Sequence, residues 1–229
     1  MAIKLVVFDM AGTTVEDKDN VHGALISAFK KFDYEILRED ANKVMGIPKP
    51  IAIGQLLKDE FGVKGEKLKT LTEKIHTEFL KDMIAFYRTD LSVKSKQNAE
   101  ATFELLKAKK IKVGIDTGFS RDIADTIIKR LGWEKNKLID FSITSDEVKN
   151  GRPHPDMIFE AMKIANIKSA NEVAKVGDTI SDLEEGTSAG CKFVVGITTG
   201  AYTRKQLEHH PHTHLIDDLM EIVEIVSAQ

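Results

Sequence analysis

The sequence predicts an α/β protein, in which a Rossmann-like parallel sheet core carries an inserted all-helical cap domain. The run IKLVVF at residues 3–8 is short, β-branched and apolar, which is typical of a buried parallel strand. Similar runs recur around Val113, Ile143, Val176 and Val194. Helical patterns separate these runs, and such alternation indicates a parallel sheet covered by helices.

The stretch from residue 16 to residue 95 breaks this alternation, because it contains no strand-like run and its apolar spacing is helical throughout. Its apolar stripes are Val21, Leu25, Ala28 and Phe32, then Leu68, Leu71, Ile75, Phe79 and Met83. We therefore predict a core domain of residues 1–15 and 96–229 and a cap domain of residues 16–95. The cap would begin at the carboxyl end of the first strand, where open parallel sheets bind their ligands.

Composition excludes several classes of partner. The formal net charge of −3 provides no general basic field, so we expect neither nucleic acid nor an anionic membrane to bind. The apolar runs are far shorter than the ~20 residues that span a bilayer. Met1 leads straight into a strand-like run and Cys191 is the single cysteine, which together predict a cytoplasmic protein.

Four signals lie where predicted strands end. They are VVFDMAGTT at 6–14, VGIDTGFS at 113–120, NGRPHPDMIF at 150–159 and VGDTISDLEEG at 176–186. Each one alone also fits an ordinary turn or helix start. Their order along essentially the whole chain resembles the haloacid dehalogenase superfamily, which implies a magnesium-dependent hydrolase of the Rossmann-like fold.

The resemblance implies a role for each signal. Asp9 would attack phosphorus and form an aspartyl phosphate that water then hydrolyses. Thr117 and the amides that follow it would bind a phosphoryl oxygen, and Arg152 would offset the negative charge of Asp9 and the phosphoryl group. The expected Mg²⁺ ligands are Asp9, Asp178, Asp182 and the carbonyl of Ala11.

Ala11 narrows the choice of family. Phosphatases of this superfamily usually place a second aspartate two positions after the nucleophile, where it acts as general acid for the leaving oxygen. Alanine at this position, within DMAGTT, resembles phosphonoacetaldehyde hydrolases, in which carbon leaves instead of oxygen. The resemblance therefore implies cleavage of a phosphorus–carbon bond.

The cap segment VMGIPKP at residues 44–50 extends this resemblance. In that family a cap lysine forms an imine with the aldehyde, and Lys49 matches it. The family also carries a histidine three residues later, whereas this chain has Ala52, and His22 in the first cap helix is a possible substitute. The expected substrate-binding residues are Gly12, Thr13, Met45, Gly46 and Gly118.

The sequence leaves three functions open. The first is a phosphonatase-like hydrolase of phosphonoacetaldehyde or a related small phosphonate. The second is a phosphatase of small phosphomonoesters, in which water or a cap residue replaces the absent acid. The third is a catalytically silent binding module, which the presence of Asp9, Asp178 and Arg152 disfavours. Resemblance to the family further implies a homodimer formed through the cap.

Overall fold

Six strands form one parallel sheet at the centre of the computed structural model, which describes residues 2–228. They are β1 Leu5–Phe8, β2 Lys112–Thr117, β3 Phe141–Thr144, β4 Val173–Gly177, β5 Phe193–Ile197 and β6 His214–Ile216. Their order across the sheet is β3-β2-β1-β4-β5-β6, and every neighbouring pair is parallel. The chain turns from one half of the sheet to the other beside β1, and a crevice forms at such a point.

Helices cover the sheet and fill the interval between β1 and β2. They are α1 Asn20–Lys30, α2 Arg38–Lys43, α3 Lys49–Asp59, α4 Gly65–Thr89, α5 Ala99–Ala108, α6 Arg121–Leu131, α7 Asp156–Ile164, α8 Ile180–Ala189, α9 Arg204–Leu207 and α10 Glu221–Ser227. The α/β class with a Rossmann-like parallel sheet is confirmed. Gly132 ends α6 in the left-handed conformation, as glycine after a helix commonly does.

The four helices α1–α4 are called the cap from here on. The chain enters the cap and returns to the sheet domain through two adjacent segments. The two crossing segments pair through one antiparallel bridge between Val15 and Ser95. Glu16 N donates to Lys94 O at 3.1 Å, and Lys96 N donates to Thr14 O at 2.8 Å. The cap is therefore attached by one narrow neck. Its exact limits at residues 16 and 95 stay a prediction.

Apolar side chains join the cap to the sheet domain. Phe79 and Met83 on α4 are fully buried, as the helical stripe predicts, and so is Tyr87 one turn further along. The ring of Tyr87 meets that of Phe119 beyond β2, with 6.0 Å between centroids. This contact holds α4 over the carboxyl end of the sheet. Among residues 2–228, no helix combines the length and apolar character that crossing a bilayer requires.

Candidate active site

A cleft lies between the carboxyl ends of the strands and the cap. Nine of the predicted site residues line it: Asp9, Ala11, Met45, Gly46, Lys49, Thr117, Gly118, Arg152 and Asp178. Residues of the cap and of three separate strand ends thus meet in one place. The remaining three, Gly12, Thr13 and Asp182, lie behind this wall and contact the residues that form it.

Arg152 is held in one position by carboxylates on several sides. Its Nη1 donates to Asp9 Oδ1 at 2.6 Å, and its Nε donates to Glu185 Oε2 at 2.9 Å. Its Nη2 donates to both the backbone oxygen and the carboxylate of Asp116. Because the guanidinium is only 2% exposed, its charge acts on Asp9 with little screening by water.

Three charged residues beneath Asp9 were not singled out in the sequence. Lys175 on β4 forms ion pairs with Asp116 on β2 and with Glu185 on α8, the latter at 3.1 Å. All three are fully buried. Burial alone would lower the pKa of Lys175, but the surrounding carboxylates raise it above its usual range. A lysine within VAKVG and an aspartate within VGID are out of place in buried strands, and this was the available signal.

Asp178 is fixed immediately after β4. Thr13 Oγ1 donates to Asp178 Oδ1 at 2.9 Å, and Ala201 N donates to Oδ2 at 2.6 Å. A side chain at Gly12 or Gly200 would overlap this carboxylate, and Gly12 also has a φ of +90°. The two predicted residues Gly12 and Thr13 therefore contact Asp178, behind the lining of the cleft.

Asp182 lies deeper than Asp178. Its Oδ1 is 2.9 Å from Arg152 Nη1 and 3.1 Å from Lys175 Nζ. Its Oδ2 accepts hydrogen bonds from the N–H and the hydroxyl of Thr179, which begins α8. Both oxygens of Asp182 are thus engaged by this chain's own groups.

The carboxylates of Asp9, Asp178 and Asp182 offer oxygens within 4.8 Å of one another, a spacing that suits a metal ion. Burial raises the pKa of Asp9 to about 7, although the positive charge of Arg152 lowers it. The neighbouring carboxylates of Asp182 and Asp178 add to the rise. Burial and Asp182 raise the pKa of Asp178 to about 6. The positive charge of Arg152 does not offset the burial of these carboxylates, and a divalent cation bound between them would add positive charge. The donor set therefore fits a hard cation.

Lys49 opens helix α3 and is 4% exposed. Burial lowers the pKa of its amine to about 8 from the ordinary 10.5. Its Nζ lies 3.4 Å from the backbone oxygen of Ile47, a long hydrogen bond to a neutral group. Ala52, where the resembled family has histidine, is fully buried. Near neutral pH, a useful fraction of this amine is therefore uncharged.

The backbone of the cap at Gly46 lies close to the backbone of the sheet domain at Gly118. Gly46 has a φ of +83°, and a Cβ there would overlap the hydroxyl of Thr179. A Cβ at Gly118 would lie 3.0 Å from the backbone oxygen of Gly46. These glycines thus permit the contact that closes the cleft at the level of Lys49.

The sequence is similar to those of known hydrolases. Residues 6–196 match the family model of haloacid dehalogenase-like hydrolases. A phosphonoacetaldehyde hydrolase of Bacillus cereus is 30% identical over 243 aligned positions, which cover 99% of this chain and 87% of that protein.

Solved structures support the fold alone, because their sequence identities are low. A phosphonoacetaldehyde hydrolase-like protein from Oleispira antarctica superposes with a TM-score of 0.86 at 20% identity, covering 100% of this chain and 92% of that one. A predicted phosphoglycolate phosphatase from Haemophilus somnus superposes with a TM-score of 0.76 at 20% identity, with 97% of each chain covered. The same architecture thus occurs in proteins with differently named substrates.

Proposed function

The chain belongs to the haloacid dehalogenase-like hydrolase family, and we propose that it is a magnesium-dependent, phosphonatase-like hydrolase. In this proposal it cleaves phosphonoacetaldehyde or a related small phosphonate through an aspartyl-phosphate intermediate. The observation that carries the proposal is the buried amine of Lys49, with a pKa lowered to about 8, in the same cleft as Asp9.

Asp9, Asp178 and the carbonyl of Ala11 would hold the Mg²⁺ ion. When bound, the ion supplies positive charge to the phosphoryl oxygens and keeps the Asp9 carboxylate ionised. Asp182 was also predicted as a ligand, but its oxygens already face Arg152, Lys175 and Thr179. We therefore assign Asp182 to the support of Arg152 and Thr179.

The residues around Asp9 would prepare it for attack on phosphorus. Arg152 Nη1 holds the Asp9 carboxylate at 2.6 Å and would also face the phosphoryl oxygens. Thr117 and the amides after it, at the end of β2, would bind another phosphoryl oxygen. Asp116, Lys175 and Glu185 would keep the guanidinium in place while charge develops.

Lys49 would make carbon an acceptable leaving group. Its neutral amine condenses with the aldehyde and takes up one proton from solvent, releasing water and giving a protonated imine. When Asp9 attacks phosphorus, the phosphorus–carbon bond breaks and its electron pair moves into the imine, which becomes an enamine. Protonation at carbon and hydrolysis release acetaldehyde and the amine. A second water hydrolyses the aspartyl phosphate.

Ala11 is consistent with this route, because no acid is required beside a departing carbon. The competing candidate is a phosphatase of small phosphomonoesters. Ala52 favours it, since the resembled family has a proton-transfer histidine there.

We also propose that the protein acts in the cytoplasm and that two copies associate through the cap.

The test is reductive trapping. Borohydride added with phosphonoacetaldehyde should leave a mass adduct on Lys49, and Lys49→Arg should abolish release of acetaldehyde and phosphate, because arginine keeps the charge yet forms no imine. Lys58→Arg, an exposed position on the same helix, is the matched control and should react like the parent. If no adduct forms while Lys49→Arg hydrolyses phosphomonoesters at the parent rate, the phosphatase candidate is correct.

A further inference from the structure

His22 lines the same cleft as Lys49 and Asp9, although it belongs to a different cap helix, α1. The residue is 4% exposed. Its Nε2 lies 3.3 Å from Asn42 Oδ1. Its Nδ1 has no hydrogen-bond partner among residues 2–228, and a buried polar atom in that situation requires an explanation.

The surroundings of His22 leave this ring nitrogen available. The carboxylate next to it, Asp19 Oδ1, lies 4.0 Å away and forms an ion pair with Arg38. Asp17, which also lines the cleft, accepts hydrogen bonds through Oδ1 from the N–H groups of Asn20 and Val21 and so fixes the start of α1. In the tautomer that donates Nε2–H to Asn42, Nδ1 carries a free lone pair.

We propose that His22 is the proton-transfer residue for imine chemistry at Lys49, replacing the histidine that is absent at Ala52. This inference rests on the proposed function. When the amine adds to the aldehyde, the product carries a positively charged, protonated nitrogen and a negatively charged oxygen. His22 takes the proton from nitrogen and returns it to that oxygen. One further proton from solvent lets the oxygen leave as water and gives the protonated imine.

His76 is the other histidine close to Lys49, and its position disfavours the same role. It lines a second groove, with Lys49, Pro50 and Ile51, that does not include Asp9. The aldehyde carbon must lie between Lys49 and the phosphoryl group on Asp9. The cleft that His22 lines contains both residues.

The experiment compares His22→Gln, His22→Ala and His76→Gln with the parent, in the presence of Mg²⁺ and phosphonoacetaldehyde. Imidazole normally contributes ~10²–10⁴-fold to such a step, so His22→Gln should lose phosphate release by about that factor. It should also slow the appearance of the borohydride-trapped adduct on Lys49. His76→Gln should react at the parent rate.

Rescue separates proton transfer from a structural role. Free imidazole should restore part of the activity of His22→Ala, and Ala52→His should restore part of that of His22→Gln. If His22→Gln keeps the parent rate, or if its loss is rescued by neither route, the inference is overturned. A loss in His76→Gln alone would assign the role to His76. If the parent itself releases no phosphate from phosphonoacetaldehyde, the proposed function fails first. Melting temperatures of both His22 variants show whether they fold.

Discussion

Lys49 meets two conflicting demands at the scale of a single residue. Its burial weakens the folded state while its side chain is charged, yet the same burial gives the neutral amine that the proposed function requires. The pKa is about 8 in the folded state and near 10.5 in the unfolded chain. The native state therefore bears the full penalty below pH 8. Between pH 8 and 10.5 the unfolded chain binds more protons, so this penalty falls as the pH rises.

Lys49→Met tests this relation. At pH 7 it should raise the free energy of unfolding by up to about 3 kcal/mol, the energy that corresponds to the lowered pKa. The gain should shrink as the pH rises from 8 to 10.5, as measured by urea unfolding of both proteins at each pH. A constant difference across that range would mean that Lys49 is not charged and buried in the native state.

Ala11→Asp tests the leaving group. The half-buried Ala11 lines the cleft, so a carboxyl group there could protonate a departing oxygen. Hydrolysis of phosphomonoesters with poor leaving groups should rise, with ~10²–10⁴-fold as the ordinary scale of general acid catalysis. Cleavage of phosphonoacetaldehyde, the internal control, should not rise. A fall in both activities at an unchanged melting temperature would show that the cleft has no room for the carboxylate.

The sequence singled out side chains that follow strand ends and missed charged side chains that lie below them. Asp9, Thr117, Arg152 and Asp178 do meet in one cleft, because the ends of parallel strands share one edge of the sheet. Asp116, Lys175 and Glu185 depend on register between strands and helix, and the single sequence does not contain that information. Their catalytic or supporting roles stay predictions.

At the scale of elements, apolar pattern predicted what each segment forms. The buried runs became β1 to β5, as expected. The stripe from Leu68 to Met83 became one long helix, α4. The order of strands and the side of the sheet that the cap covers come from long-range packing, which spacing along the chain does not reveal.

A substitution at Gly46 tests the contact between the cap and the sheet domain. Gly46→Ala adds a methyl group against Thr179 in a backbone conformation that disfavours alanine. We expect the free energy of unfolding to fall by about 1–3 kcal/mol, and kcat/KM for phosphonoacetaldehyde to fall because the cap stands farther from Asp9.

The matched control is Gly23→Ala. Gly23 lies within α1, and a Cβ there would meet no atom within 4 Å. Alanine favours a helix interior, so this variant should gain about 0.5–1 kcal/mol and keep its activity. Parent-like stability and turnover in Gly46→Ala would contradict the close contact.

At the scale of the whole molecule, bound Mg²⁺ should stabilise the fold. An ion present at a hundred times its dissociation constant adds about 2.7 kcal/mol to the free energy of unfolding. Thermal unfolding should therefore shift upward with Mg²⁺ in the parent and in Asp59→Asn, an exposed substitution, but not in Asp178→Asn. Chelation should stop turnover. An equal shift in all three proteins would place the ion elsewhere.

The narrow neck at Val15 and Ser95 has a consequence for the history and the engineering of the chain. Paired antiparallel segments run about 5 Å apart, so the two ends of the inserted segment almost touch. A different insert with equally close ends can occupy this position without altering the order of the sheet strands. The substrate preference that we propose for Lys49 and the phosphoryl chemistry that we propose for Asp9 lie on opposite sides of this neck, so that one could be exchanged without the other.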